Sequence, residues 1–279
     1  MPNTDKLSKV NEHETDRLKN IAADVLLEAK KQGADQAEAS ISVGRGLSVN
    51  ARLGEVETIE HHRDQGVGIT VYKGKKKGSA SSTKLDGSSI AEMVRAACAI
   101  ARYTEDDPFS GLPEKDRLAT QFPDLSLYHP WDVSTEQAIE MAISCENAAR
   151  FYDKKITNSE GASIQTFEGT RVFANSLGFN HGYPASRHSM SCSVIGELGD
   201  SMQRDYWYTV ARKVTDLEDA IKVGEKASER TVKRLGARSI STRKCPVLFA
   251  AEVSGGFIGH FISAIRGGNL YRKSSFLVD

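Results

Sequence analysis

The sequence predicts an α+β fold: two helix–antiparallel-sheet–helix units followed by the beginning of a C-terminal β-rich domain. Three observations lead there. Apolar residues recur at helical spacing early in the chain and then switch to a period of two. The alternating segments are separated by turns too short for a parallel crossover, such as Leu53-Gly54-Glu55 and the lysine–glycine tip at residues 73–78. The order helix, strands, helix also occurs twice before residue 243. The two halves share no visible residue-level similarity, so either an internal repeat or convergence on a common plan is compatible with this order.

The first helix is read from Leu18, Ile21, Ala22, Val25, Leu26 and Ala29, and Gly33 stops it. Ala37, Ala39, Ile41 and Val43 then alternate with polar residues, so one face of that strand is buried. Short strands are predicted at residues 47–53, 56–61, 66–72 and 79–83. A second helix carries Ile90, Met93, Val94, Ala97 and Ala101 on one stripe. Residues 104–130 hold four of the seven prolines and read as a connector. Ser134 with Gln137 forms a capping box for a third helix. Strands follow at 163–167, 171–175, 179–183, 186–196 and 201–212, with turns at 175–178 and 197–200. Asp216 is the predicted N-cap of a fourth helix, which runs to about Leu235.

These elements divide the chain into an N-terminal α+β domain at 1–110, a connector at 111–131, a middle α+β domain at 132–242 and the start of an incomplete C-terminal domain at 243–279. That last segment reads as a strand at 246–250 and one helix, too little to bury its own core.

Composition narrows the function. Lys plus Arg and Asp plus Glu are 37 each, so no global field favours nucleic acid or an anionic membrane. Lys73, Lys75, Lys76 and Lys77 form the densest basic run, read as a solvated hairpin tip. No apolar run reaches the roughly 20 residues that span a bilayer. The N-terminus is polar and carries acidic residues, unlike a signal or transit peptide. Cys98, Cys145, Cys192 and Cys245 are scattered without a CxxC, which suits reduced thiols in a cytoplasmic protein, each a small core residue.

No catalytic signature stands out in the residues themselves. His13-Glu14 lacks the second histidine of HExxH. His61 and His62 are adjacent on a strand and point to opposite faces. His181 and His188 could meet across a hairpin near residues 182–186, with a surface or hydrogen-bonded role and no third ligand. GxSxG and GxGxxG are absent.

The segment GEVETIEHHRDQGVGITVYKGKKKGSASST at 54–83 resembles the N-terminal region of the TldD/PmbA family, once called modulators of DNA gyrase. RYTEDDP at 102–108, ITNSEGAS at 156–163, RDYWYT at 204–209 and GGNLYRKSSFL at 267–277 resemble further blocks of its PmbA, or TldE, branch. The resemblance covers nearly the whole chain in order. It implies a zinc-dependent peptidase of two related subunits that removes leader peptides and degrades short or unfolded polypeptides. The TldD-like subunit carries a His-Glu-x-x-x-His motif, and the TldE-like subunit pairs with it.

Laid on this sequence, the motif falls on residues 255–260. Gly255 stands where the first histidine would be, Gly256 where the general-base glutamate would be, and His260 matches the last histidine. The resemblance therefore implies no catalytic residue and no metal on this chain, zinc on a TldD-like partner, a heterodimer or homodimer, and peptide substrates. Gly255, Gly256 and Gly259 are expected to let backbone approach backbone at the degenerate site, with His260 kept for packing or a hydrogen bond. Membership of a hydrolase family thus coincides with a chain expected to be inactive alone. Relatives continue well beyond the RKSSFL block, and the segment they add builds most of the last domain. The alternative is a peptide-binding or regulatory protein that captures extended peptides on exposed strand edges.

Overall fold

The computed structural model describes residues 4–278, with side chains from residue 12 onward. The chain forms two compact units, Met1–Ala237 and Arg238–Asp279, each described by itself.

In the first unit the order is α1 (Thr4–Lys31), β1 (Gln36–Arg52), β2 (Glu55–Lys73), β3 (Lys76–Ser82), α2 (Gly87–Tyr103), α3 (Thr135–Arg150), β4 (Ile156–Asn175), β5 (Asn180–Leu198), β6 (Ser201–Ala211) and α4 (Ala220–Arg234). The α+β class is as predicted. The strands are fewer and longer. β1 runs unbroken through Gly44-Arg45-Gly46, and β2 runs through His61-His62-Arg63. Polar residues interrupt the apolar alternation there, but backbone hydrogen bonds to neighbours carry each strand across the gap.

All pairings are antiparallel, in the order β3-β2-β1-β4-β5-β6. The β1–β4 ladder joins the two predicted strand sets into one sheet. Ala37, Ala39 and Ile41 of β1 pack under α1 and α2. Leu47, Val49 and Ala51 of the same strand pack under α3 and α4. Their common parity puts all four helices on one face, as two separate pairs. Among the described residues of this unit, no helix packs on the other face.

Close backbone approach fixes how the helices sit. A Cβ on Gly224 of α4 would lie 2.0 Å from the carbonyl oxygen of Cys145 in α3. A Cβ on Gly78 of β3 would lie 2.1 Å from that of Ala97 in α2. Glu146, fully buried on α3, accepts hydrogen bonds from the backbone N–H groups of Leu53 at 2.7 Å and Gly54 at 2.8 Å. Both turn residues have positive φ, 55° and 84°, as a two-residue hairpin loop of this type requires. The β1–β2 tip is thereby tied to α3.

The capping box at Ser134 and Gln137 forms as predicted. The α4 cap is Asp219 and not Asp216, because Val214–Asp216 makes a turn of 3₁₀ helix and the chain enters α4 only after Leu217 and Glu218. Asp86 caps α2: its carboxylate accepts from the hydroxyls of Ser88 at 2.5 Å and Ser89 at 2.8 Å and from the Ser89 N–H at 2.9 Å. Those bonds, the Ser88 hydroxyl first, hold its carboxyl well below the usual carboxylate range. A depressed folded pKa adds stability above the unfolded pKa of about 3.9 and loses it as pH falls toward the folded value. Asp86→Ala is therefore expected to lower the melting temperature at neutral pH, and the gap to wild type should shrink steadily below about pH 4. Thermal melts across pH check this, and a gap that is constant with pH would contradict it.

Cys98, Cys145 and Cys192 are buried as expected, whereas Cys245 is exposed because its segment has no packing partner within its unit. The Cys192 thiol contacts Cys145, and that hydrogen bond together with burial pushes it strongly toward the protonated form.

The second unit holds α5 (Ala251–Ile265) and α6 (Gly267–Tyr271). The strand predicted at 246–250 is not formed, since a strand needs a neighbour to accept its ladder bonds and this unit has none among the described residues. Phe257, Ile258, Phe261 and Ile262 remain about half exposed, and Ala264 is the buried residue of the helix.

Candidate functional site

Gly255, Gly256 and His260, the positions onto which the resemblance lays the zinc motif, all lie on α5. That helix opens at Ala250, which offers no side-chain cap, and Ser254 instead donates its hydroxyl to the Ala251 carbonyl at 2.7 Å. Phe249 packs on Phe257 with ring centroids 5.1 Å apart. At its far end Asn269 Nδ2 donates to the Ser263 carbonyl at 2.7 Å, closing the α5–α6 corner.

Nothing lies within 4 Å of a Cβ placed on Gly255, Gly256 or Gly259. Within this unit the three glycines leave open space beside the helix. His260 is exposed within the same unit. Glycine offers no ligand atom or base, so this helix presents one imidazole where a zinc site needs about three donors. Among the described residues, no three His, Cys, Asp or Glu side chains come together as a metal ion would require. The residues present do not fit a zinc ion.

The other histidines have structural surroundings. His181 and His188 lie on one strand, β5, seven positions apart, so the hairpin expected to bring them together does not exist. His181 stacks on Phe122 of the connector at 3.8 Å, and burial lowers its pKa. His188 is fully buried, with Nδ1 2.8 Å from the Thr166 hydroxyl and Nε2 2.8 Å from the His129 carbonyl oxygen. His61 and His62 point to opposite faces of β2 as predicted: His61 nears the Thr135 hydroxyl at 3.4 Å, and His62 stacks on Phe167.

Sequence reasoning missed a polar cleft of about 840 Å³ lined by His13, Glu14, Arg17, Arg45, Tyr128 and Glu168. It opens on the helix-bearing face between the two helix pairs. Glu168 accepts from Arg45 Nε at 2.5 Å and from the Tyr128 hydroxyl at 2.5 Å. Arg17 grips Glu14 through Nε and Nη2 at 2.8 and 2.9 Å, which holds the Glu14 carboxyl below its ordinary range. Each carboxylate in these two pairs is already committed to a guanidinium, so the pairs support walls and offer no open ligand set. The signal was present in β1, where Arg45 breaks the series Ala37, Ala39, Ile41, Val43, Leu47 on the inward parity.

Comparison with known proteins places these features in context. Residues 37–101 match the profile of the PmbA/TldA metallopeptidase domain 1, and residues 128–235 match that of the PmbA/TldA metallopeptidase central domain. The chain is 48% identical over 258 residues to the metalloprotease PmbA of Escherichia coli, covering 92% of this chain and 57% of that protein. It is 44% identical over 277 residues to a PmbA homologue of Haemophilus influenzae, covering 99% and 60%. It thus spans somewhat under two thirds of the length of these relatives. Among solved structures, a protein of Bacteroides thetaiotaomicron described as a modulator of DNA gyrase superposes with a TM-score of 0.87 at 24% identity, covering 95% of this chain and 60% of that one. TldE of Thermococcus kodakarensis superposes with a TM-score of 0.62 at 18% identity, covering 76% and 47%.

Proposed function

This chain belongs to the PmbA/TldD metallopeptidase family, and from that premise we propose that it serves as the non-metal, TldE-like subunit of a two-subunit zinc peptidase. What supports the reading is on α5, where Gly255 and Gly256, which the resemblance sets at the positions of the first metal-binding histidine and the general base, carry no side chain. Zinc-assisted hydrolysis needs about three protein ligands, an open coordination position and a group to take the water proton. His260 alone supplies neither the affinity nor the base, and no catalytic step is assigned to this chain.

Its contribution is structural. It completes the chamber in which a metal-bearing, TldD-like subunit works, and it stabilises that subunit. The substrates are leader peptides and short or unfolded polypeptides, and the compartment is the cytoplasm.

Co-expression with a TldD-like subunit is expected to yield a complex on size exclusion and to raise that subunit's peptide cleavage. Purified alone, this chain should carry far less than one zinc per chain, and His260→Ala should leave that content unchanged. If no complex forms and the partner cleaves equally well without this chain, the reading fails. Stoichiometric zinc that disappears in His260→Ala would overturn it as well.

A further inference from the structure

The cleft between the helix pairs is floored by two rows of the sheet. The ladder registers set Arg63 of β2, Arg45 of β1 and Glu168 of β4 side by side in one row, and Gln65, Val43 and Thr170 in the next. All six share the parity that faces the helices. Asp64 also borders the cleft, but its opposite parity directs its carboxylate to the other face.

Charge in the first row does not balance. Arg45 and Arg63 stand directly opposite each other in an antiparallel pair, where like charges are destabilising. The one carboxylate of the row, Glu168, takes Arg45 on one oxygen and the Tyr128 hydroxyl on the other. On the α1 wall, Glu14 is held by Arg17. Arg63 is exposed and forms no ion pair or hydrogen bond among the described residues. Its field reaches Glu14, adding to the Arg17 bond that chiefly holds that carboxyl low. Among the described residues, three guanidinium groups therefore face two carboxylates, a surplus of one positive charge to which His13 adds when protonated.

Beside this charge lies an unused donor. Thr170 is only 4% exposed, and its hydroxyl borders the cleft without a hydrogen-bond partner among the described residues. A buried hydroxyl left unmet costs stability until something bonds to it. Strand spacing and rise put the Cα atoms of Arg63 and Thr170 about 12 Å apart, with Val43 between them. One ligand of moderate size can meet both.

We propose that this cleft binds a monoanionic organic acid, whose carboxylate accepts two parallel N–H bonds from Arg63 and whose body crosses Val43 to reach the Thr170 hydroxyl. Planar guanidinium and planar carboxylate match in that geometry. One carboxylate cancels the surplus charge, whereas a phosphate of charge near −2 overshoots it. The volume of about 840 Å³ lies in the range of small-molecule sites and exceeds what a bare anion fills. A free small acid and the end of a short peptide both carry this chemistry, and the test separates them. The site belongs to the first unit alone and stands apart from any role toward a metal-bearing subunit.

Saturation-transfer NMR on the 279-residue chain uses three probes: acetyl-trialanine with a free carboxylate, the same peptide as its C-terminal amide, and benzoate. At least one acid is expected to bind, about tenfold or more tighter than the amide, and to weaken as salt is raised. A peptide acid that outbinds benzoate identifies the ligand as a peptide end, and the reverse order identifies a free acid. Arg63→Gln should weaken the binding about tenfold or more, and Arg63→Lys less, since a point charge remains without the two-bond fit. Thr170→Val should cost about threefold to tenfold. Arg171→Gln, on the other face, is the control and should change nothing. Arg63→Gln should also melt no lower than wild type, because it removes a like charge opposite Arg45. A lower melting temperature, acid binding that survives Arg63→Gln, or equal binding of acid and amide overturns the proposal. So does the absence of binding by every probe, or inorganic phosphate that displaces the acids and binds more tightly than they do.

Discussion

Gly224→Ala is expected to destabilise the first unit by about 3 kcal/mol or more, although glycine to alanine inside a helix ordinarily gains about 1 kcal/mol. The reversal of sign comes from contact. The added methyl would sit 2.0 Å from the Cys145 carbonyl oxygen and 3.0 Å from the Ala149 backbone nitrogen, both main-chain atoms of α3. No rotamer change relieves such a clash, so α3 and α4 must separate. Separation strips contacts from Ala142, Cys145, Val223 and Ala227, which are fully buried in that core. The neighbouring Ser228 hydroxyl, which donates to the Ala149 carbonyl at 2.6 Å, would lose its partner as well. Urea unfolding measures the change. Gly87→Ala is the control, since nothing lies within 4 Å of its Cβ position, and it should be neutral or slightly stabilising. Equal stability of the two variants would mean that the helices are free to move apart.

His188→Ala is expected to lower stability by about 3 kcal/mol, combining a large-to-small change in a packed site with the loss of two buried hydrogen bonds. The geometry sets the tautomer. The His129 carbonyl can only accept, so Nε2 carries the proton, and Nδ1 accepts from the Thr166 hydroxyl. The Trp131 ring meets the imidazole edge-on with centroids 5.5 Å apart. Around it the connector is fastened to β5 by two more bonds, Ser186 N–H to the Leu127 carbonyl at 3.0 Å and His129 N–H to the Ser186 hydroxyl at 2.8 Å, and that hydroxyl in turn donates to the Arg212 carbonyl at 2.9 Å. Losing His188 should therefore loosen the connector before it unfolds the sheet. Hydrogen exchange is expected to accelerate first at the His129 amide and the Ser186 amide, and proteolysis to begin within residues 104–131. Global unfolding with no early exposure of that segment would contradict this order.

Much of the fold was legible because it rests on local chemistry. The stripe from Leu18 to Ala29, the Ser134–Gln137 box and the Leu53-Gly54 turn each depend on residues within a few positions of one another, and all three formed as read. What was not legible is long-range. Nothing near Gly44 or Gly169 announces that they pair across the sheet, and a strand with two hydrogen-bonded neighbours tolerates a polar stretch that would end an isolated one. Asp216 and Asp219 are both acceptable caps in isolation, and only the path of the chain chooses between them. The motif positions on α5 were legible only against the family pattern, since two glycines on a helix carry no chemistry to read. The cleft pairs Arg45 with Glu168, 123 positions away, a contact that no spacing encodes.

The β1–β4 ladder has a consequence for how the protein is made. β1 leaves the ribosome long before its partner residues 162–175, with one whole edge of backbone donors and acceptors unmet. The first half can fold its helices over β1, β2 and β3, yet after α2 ends at Tyr103 it must wait with that edge open until residues 162–175 are synthesised. Closing so long a loop is slow, and an open edge in the meantime is a template for any other extended chain. Synthesis thus sets a period of vulnerability that ends only when β4 arrives, and rare pauses between residues 110 and 175 would lengthen it. The order of the sheet leaves the first half with an edge that only β4 can close.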